Sequence, residues 1–176
     1  MIASTPGRAE IARYLCSQRI NLDLLDNKAR TALYLAVEID NFEVAEILAA
    51  NGASIIADHG RLAKMLCSIG HENDIEKLRF LVKSDTDIDA ADYDKRTVGH
   101  LAAAEGHWQI LEFLAVNSKF DFNLADRWGT TVLDELKNEE LKQRLLKLIS
   151  SRSARKGSYD TSSSLEKSPK PSFDAD

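Results

Sequence analysis

Four histidines, His59, His71, His100 and His107, are the residues best suited by type to hold a metal or relay a proton. Their spacing supports neither role. No two stand as His-x-x-x-His, the interval that sets two imidazoles on one helical face, and no cysteine pair accompanies them. The Gly-x-Ser-x-Gly elbow of a serine nucleophile is missing, as is the Gly-x-x-x-x-Gly-Lys cradle for phosphate. Asp85, Asp87, Asp89, Asp92 and Asp94 alternate like the carboxylates of a calcium loop. The glycine of its sharp turn and its closing bidentate glutamate are not at the required positions, so the run reads as a solvated acidic hairpin. No catalytic residue, metal ligand or cofactor is expected from these residues.

Composition narrows the class further. In 176 residues, 44% hydrophobic and 29% charged is ordinary for a globular chain. The net charge of −5 and pI near 5.4 argue against a general electrostatic footprint for nucleic acid. Cys16 and Cys67 are too few for a disulfide framework and suit reduced thiols in a cytoplasmic setting. No apolar stretch approaches the roughly 18 residues of a membrane span, and residues 1–7 lack the basic start and apolar run of a signal peptide.

The elements that would carry any site come from an internal period. Asp26, Thr31, Leu35, Ala36, Val44, Ile47 and Leu48 have counterparts at Asp92, Thr97, Leu101, Ala102, Ile110, Phe113 and Leu114, each 66 residues on, twice a step of 33. A blurred copy with Leu66, Ile69, Leu78, Phe80 and Leu81 lies between them. In the unit 25–57, a polar turn at 26–30 leads to Thr31 as a helix cap, a first helix to about Ile39, and a second from Phe42 that stops at Asn51-Gly52. Two such short helices cannot cover their own apolar faces, so units must stack. The period predicts an all-α solenoid over residues 1–149: a partial unit 1–24, full units 25–57, 58–91 and 92–125, and a degenerate cap 126–149. Because the ruler lands mid-unit at Met1, the chain is expected to be a fragment or region of a larger protein. Residues 150–176, rich in Ser, Lys and Pro, read as a disordered tail.

The Asp-x-x-x-x-Thr turn, the Thr31-Ala32-Leu33-Tyr34 and Thr97-Val98-Gly99-His100 helix starts and the Glu105-Gly106-His107 break resemble the ankyrin repeat family. No copy carries the family's full Thr-Pro-Leu-His, and Gly99 empties a core leucine slot, at a cost of a few kcal/mol unless neighbours fill the space. Residues 52–136, through Asp92-Tyr93-Asp94-Lys95-Arg96-Thr97 and Asp126-Arg127-Trp128-Gly129, are similar to the ankyrin block of plant outward-rectifying Shaker-type potassium channels and of ankyrin-bearing glutaminases and asparaginases. The resemblance implies structural roles for His100 and His107, leaving His59 and His71 as solvated turn residues. It also implies a non-catalytic scaffold that binds a protein partner on a concave face lined by turn tips and first helices. The corresponding residues are Asn27, Lys28, Arg30, Glu38, Arg61, Tyr93, Asp94, Arg96, Glu105, Arg127 and Trp128. Tyr, Trp and Arg among them are the types that dominate binding hot spots.

The expected partner is therefore a protein, with no nucleic acid and no direct membrane insertion. The alternative is a regulatory or assembly domain tethered to a channel or an amidohydrolase in the same chain. In the tail, Ser158 and Ser168 have the basic and proline neighbours of kinase sites.

Overall fold

The computed structural model describes residues 6–18 and 20–157, with side chains from 8 to 152 except 19. Among these residues there are nine helices and no strand: α1 Pro6–Ser17, α2 Ala32–Glu38, α3 Phe42–Ala50, α4 His59–Glu72, α5 Ile75–Lys83, α6 Val98–Glu105, α7 Trp108–Asn117, α8 Val132–Glu135 and α9 Glu139–Gly157. Short helices of this kind depend on local starts and stops. The Thr31 hydroxyl accepts from the Tyr34 N–H at 3.3 Å, and Asn41, Asp58 and Asp74 cap α3, α4 and α5 in the same way. After α2, α4 and α6 the chain turns through the left-handed region at one repeating slot, Asp40 (φ 59°), Asn73 (φ 59°) and Gly106 (φ 77°).

The helices pair within units, α2 on α3, α4 on α5 and α6 on α7, and stack between them, α4 on α6 and α6 on α8. Leu33, Val37, Leu66, Ile69, Leu78, Leu81, Ile110, Leu111 and Leu114 form one buried core running through the stack. Each fully buried residue of this size contributes on the order of 1.5–3 kcal/mol, and the burial is shared between the pairing of helices within a unit and the stacking of units. An ion pair between a buried amine and a solvent-exposed carboxylate adds a second tie. The amine of buried Lys77 lies 2.7 Å from Asp40 in the unit before and 3.6 Å from Asp74 in its own.

Three features depart from the sequence reading. In the stretch 58–91 the expected turn around Gly60 and Arg61 is absent: α4 starts at His59, capped by Asp58. The turn-closing aspartate of the sister units, Asp26, is matched one step on by His59, whose ring replaces a carboxylate that accepts two main-chain N–H groups. Without that acceptor, and with a cap just before it, the segment continues into helix, and His59 becomes its exposed first residue while His71 lies in its last turn.

At the other end, α9 does not stop at Ile149. It continues to Gly157, and the Arg152 guanidinium donates to the Ser118 and Phe120 carbonyls at 2.8 and 3.2 Å, tying the last helix to the loop after α7. Residues 158–176, with Ser158 and Ser168, lie outside the described residues. In the first unit, Pro6 opens α1 three residues before the slot matching Phe42, so Gly7 is helical. Ala9 and Ala12 are buried as α1 packs on α3, whereas Ile11, Tyr14 and Leu15 are exposed.

The vacated leucine slot at Gly99 is filled from outside its helix. Phe120, fully buried, reaches so close that a Cβ on residue 99 would sit 2.6 Å from its Cζ and 3.0 Å from Val132 Cγ2. The ring packs edge-on against Phe122, centroids 4.9 Å apart. The small residue and the large one are thus a matched pair, and the cavity cost expected at Gly99 does not arise.

Candidate functional site at the turn tips

Three turns share one construction. The carboxylate of Asp26 accepts the Lys28 and Arg30 N–H groups at 2.8 and 3.0 Å. Asp92 does the same with Asp94 and Arg96 at 2.9 and 2.8 Å, and Asp126 with Trp128 and Thr130 at 2.9 Å each. In each turn the aspartate N–H also donates to the carbonyl four residues on. The fourth position is left-handed, Ala29 (φ 56°), Lys95 (φ 59°) and Gly129 (φ 81°). Only glycine adopts that conformation without steric cost.

These bonds favour the ionised form. The Arg30 guanidinium, at 2.9 Å, holds the Asp26 carboxyl below the usual carboxylate range. Burial pushes the Asp126 carboxyl upward, but the Thr130 and Trp128 N–H groups outweigh it and leave it lowered.

The turns bring some of the expected recognition residues together and employ others in the scaffold. Tyr93 and Trp128 project from adjacent tips, 87% and 68% exposed. Arg127 joins the two turns: its N–H donates to the Asp94 carbonyl at 2.8 Å, its guanidinium stands 3.4 Å from the Asp94 carboxylate, and its Cζ lies 5.4 Å over the Tyr93 ring. Asn27 and Lys28 are exposed on the corresponding tip of the unit 25–57.

Arg30 is held by Asp26 and by Glu38 at 3.2 Å, which spends Glu38 as well. Arg96 is bonded to Glu135 at 2.8 Å, joining one unit to the next. Glu105 meets His71 at 3.1 Å, and Arg61, on the first turn of α4 rather than on a loop tip, folds back on its own cap Asp58 at 2.6 Å.

The remaining candidates for chemistry are engaged in structure. His100 is fully buried. Its Nδ1 accepts from the Thr97 N–H at 3.2 Å, which requires the proton on Nε2, and Nε2 donates to the Thr130 carbonyl at 3.0 Å. The ring therefore caps α6 and pins the next turn at once. His107 lies 3.0 Å from the His71 carbonyl. Cys67 is a free thiol pushed up to about 11 by burial, the opposite of an activated nucleophile. Burial and Glu38 push the Tyr34 phenol up to about 12. No group of three or more His, Cys, Asp or Glu among the described residues is arranged to hold a metal ion. No described helix is long and apolar enough to cross a membrane.

Two participants escaped the sequence reading. Lys77, a cation in the interior, had no signal beyond its place on an apolar face. Lys95, exposed at the left-handed slot, is marked only by occupying the position of Gly129.

Comparison with known proteins agrees with this construction. A family model described as ankyrin repeats in three copies matches residues 1–59, and another, described as ankyrin repeats in many copies, matches residues 63–115. The chain is 39% identical over 69 residues to "Putative glutaminase 2" of Caenorhabditis elegans, covering 39% of this chain and 11% of that protein. It is 25% identical over 147 residues to "L-asparaginase" of Dirofilaria immitis, 84% of this chain and 25% of that one. It is 37% identical over 70 residues to "Potassium channel SKOR" of Arabidopsis thaliana, 40% of this chain and 8% of the channel. The chain thus spans a quarter or less of the length of these relatives. With two ankyrin models together covering more than half of its residues, and stacked helix pairs joined by aspartate-closed turns, the chain belongs to the ankyrin repeat family and is a protein-interaction module.

Proposed function

We propose that this module captures a protein partner on its concave face, and that Tyr93, Arg127 and Trp128 anchor the contact. The observation that carries the reading is the pair of exposed aromatic rings on adjacent tips, with a guanidinium over one of them. Two large rigid side chains held apart from the core offer area for burial at little rotamer cost, the composition of a binding hot spot. Asn27, Lys28 and Asp94 form the surrounding rim. Arg30, Glu38 and Arg61 are engaged within their own units, Arg30 with Asp26 and Glu38 and Arg61 with Asp58, while Arg96 with Glu135 and Glu105 with His71 tie one unit to the next. No catalytic step is assigned to these residues, and the setting is cytoplasmic, in keeping with two free thiols.

A second reading is favoured by the relatives: the module acts as a regulatory or assembly domain within a longer polypeptide that also carries an amidohydrolase or a channel. The two readings share a surface and differ in whether the partner lies in the same chain.

A photo-crosslinking residue placed at 128, and in a second protein at the exposed Gln109 of α7, locates the contact. Crosslinking from 128 and loss of about 30-fold in affinity in Tyr93→Ala/Trp128→Ala are the expected results. Crosslinking from 109 alone, with the double variant folded and binding normally, removes the concave face from consideration.

A further inference from the structure

The charge on the turn tips is opposite in sign to that of the whole chain. The protein carries −5 overall, yet each unit places a cation at or beside one recurring slot: Lys28, Arg61 one step of 33 later, then Lys95 and Arg127. Carboxylates offset two of the four: Asp58 pairs with Arg61 at 2.6 Å and Asp94 with Arg127 at 3.4 Å. Asp26, Asp92 and Asp126 face into their turns and accept main-chain N–H groups, and Asp94 is paired with Arg127. Lys28 and Lys95 are exposed and have no ion-pair partner among the described residues. Three further exposed acids, Glu38, Glu72 and Glu105, stand at the far ends of α2, α4 and α6. One margin is therefore positive and aromatic, and the other negative.

Resting on the concave-face reading above, we infer that the partner presents an extended acidic segment, which lies along the tip margin from Asn27 to Trp128. Packed helices stand about 8–10 Å apart, and an extended segment in the polyproline II form rises about 3.1 Å per residue with three residues per turn, so every third side chain returns to one face. A carboxylate at every third position of the segment therefore faces the tips about once per unit, and those opposite Lys28 and Lys95 meet unpaired cations. Apolar or aromatic residues between the carboxylates cover Tyr93 and Trp128. The negative line at the helix ends repels the same segment and keeps it at the tips. A register fixed by charge in this way affects partner choice and association rate more than total affinity.

The test is selection of a random 12-residue peptide library on the full 176-residue chain at low salt. Peptides rich in Asp or Glu at three-residue intervals, with apolar residues between, are the expected product. An individual selected peptide should lose about tenfold or more in affinity to Lys28→Glu/Lys95→Glu, and should also weaken between about 0.05 and 0.5 M salt. Both lysines are exposed and unpaired, so thermal unfolding of the variant should match the parent and exclude a folding defect.

Neutral or basic selected peptides, no enrichment, or binding unaffected by the double charge reversal would overturn the inference. So would a stronger preference for a single-stranded oligonucleotide than for any selected peptide. The two claims fail separately. If Tyr93→Ala/Trp128→Ala abolishes binding while charge reversal does nothing, the concave face stands and the acidic partner does not.

Discussion

Exchanging the sizes of residues 99 and 120 tests whether the glycine and the phenylalanine are one packing unit. Phe120→Ala removes a fully buried ring and should cost about 3–5 kcal/mol. Gly99→Leu alone drives a side chain into a position where even a Cβ lies 2.6 Å from the Phe120 ring, and overpacking of this kind costs about 1–3 kcal/mol or more. Combined, the new leucine enters the space that the ring has left.

The double variant should then be more stable than the summed losses imply, by about 1–3 kcal/mol. Recovery stays incomplete because leucine is smaller than phenylalanine and cannot restore the edge-on contact with Phe122, a contact of about 0.5–1.5 kcal/mol. Urea unfolding followed by both circular dichroism and tryptophan fluorescence gives the four free energies. Superimposable curves are required first, since repeat arrays can unfold in stages. If the two losses add to within about 0.5 kcal/mol, Phe120 does not fill the Gly99 vacancy and the compensation argument fails.

Ala29→Gly, at φ 56°, should raise stability by about 0.5–1 kcal/mol, read as a higher urea midpoint at unchanged slope, because relief of left-handed strain exceeds the extra freedom of the unfolded glycine. Asp126→Ala should destabilise at neutral pH. The Asp126 carboxyl is lowered below 3.8 in the fold, so its contribution is complete above that value and fades as pH falls through the lowered folded value; the gap between parent and variant midpoints should narrow there, and a gap constant with pH would contradict it. Arg152→Ala removes two hydrogen bonds to the Ser118 and Phe120 carbonyls and should speed amide exchange in α9, with a loss of about 1–2 kcal/mol confined to that end.

What the sequence reveals follows from the range over which each feature is determined. The period, the caps at Thr31 and Thr97 and the ankyrin resemblance rest on residues a few positions apart, and the all-α stacked fold was legible from them. The turn at 59–61 was misread because the period predicts a slot without saying which side chain closes it. His59 occupies the aspartate's place, and helix propensity wins.

Longer-range features were hidden. Phe120 fills a hole 21 residues back in the chain, Arg96 meets Glu135 39 residues on, and α9 outruns its expected end through a contact between Arg152 and a loop 32–34 residues earlier. At the candidate site the residue types were readable. Which arginines are enclosed by their carboxylates was not, because Arg30 and Arg96, 18% and 24% exposed, look the same as Arg127, paired with Asp94 yet 56% exposed, until their partners are located in space.

The aspartate-closed turn has an evolutionary consequence. An Asp carboxylate and main-chain groups complete each loop, so the two side chains after the aspartate, Asn27 and Lys28, Tyr93 and Asp94, Arg127 and Trp128, take no part in closing their own turn. Substitutions there escape the purifying pressure that protects the core. Arg127, tied to the neighbouring tip, is the partial exception. A lineage can accordingly drift through many tip combinations while its scaffold stays intact, and duplicated copies can diverge in what they recognise before they diverge in shape.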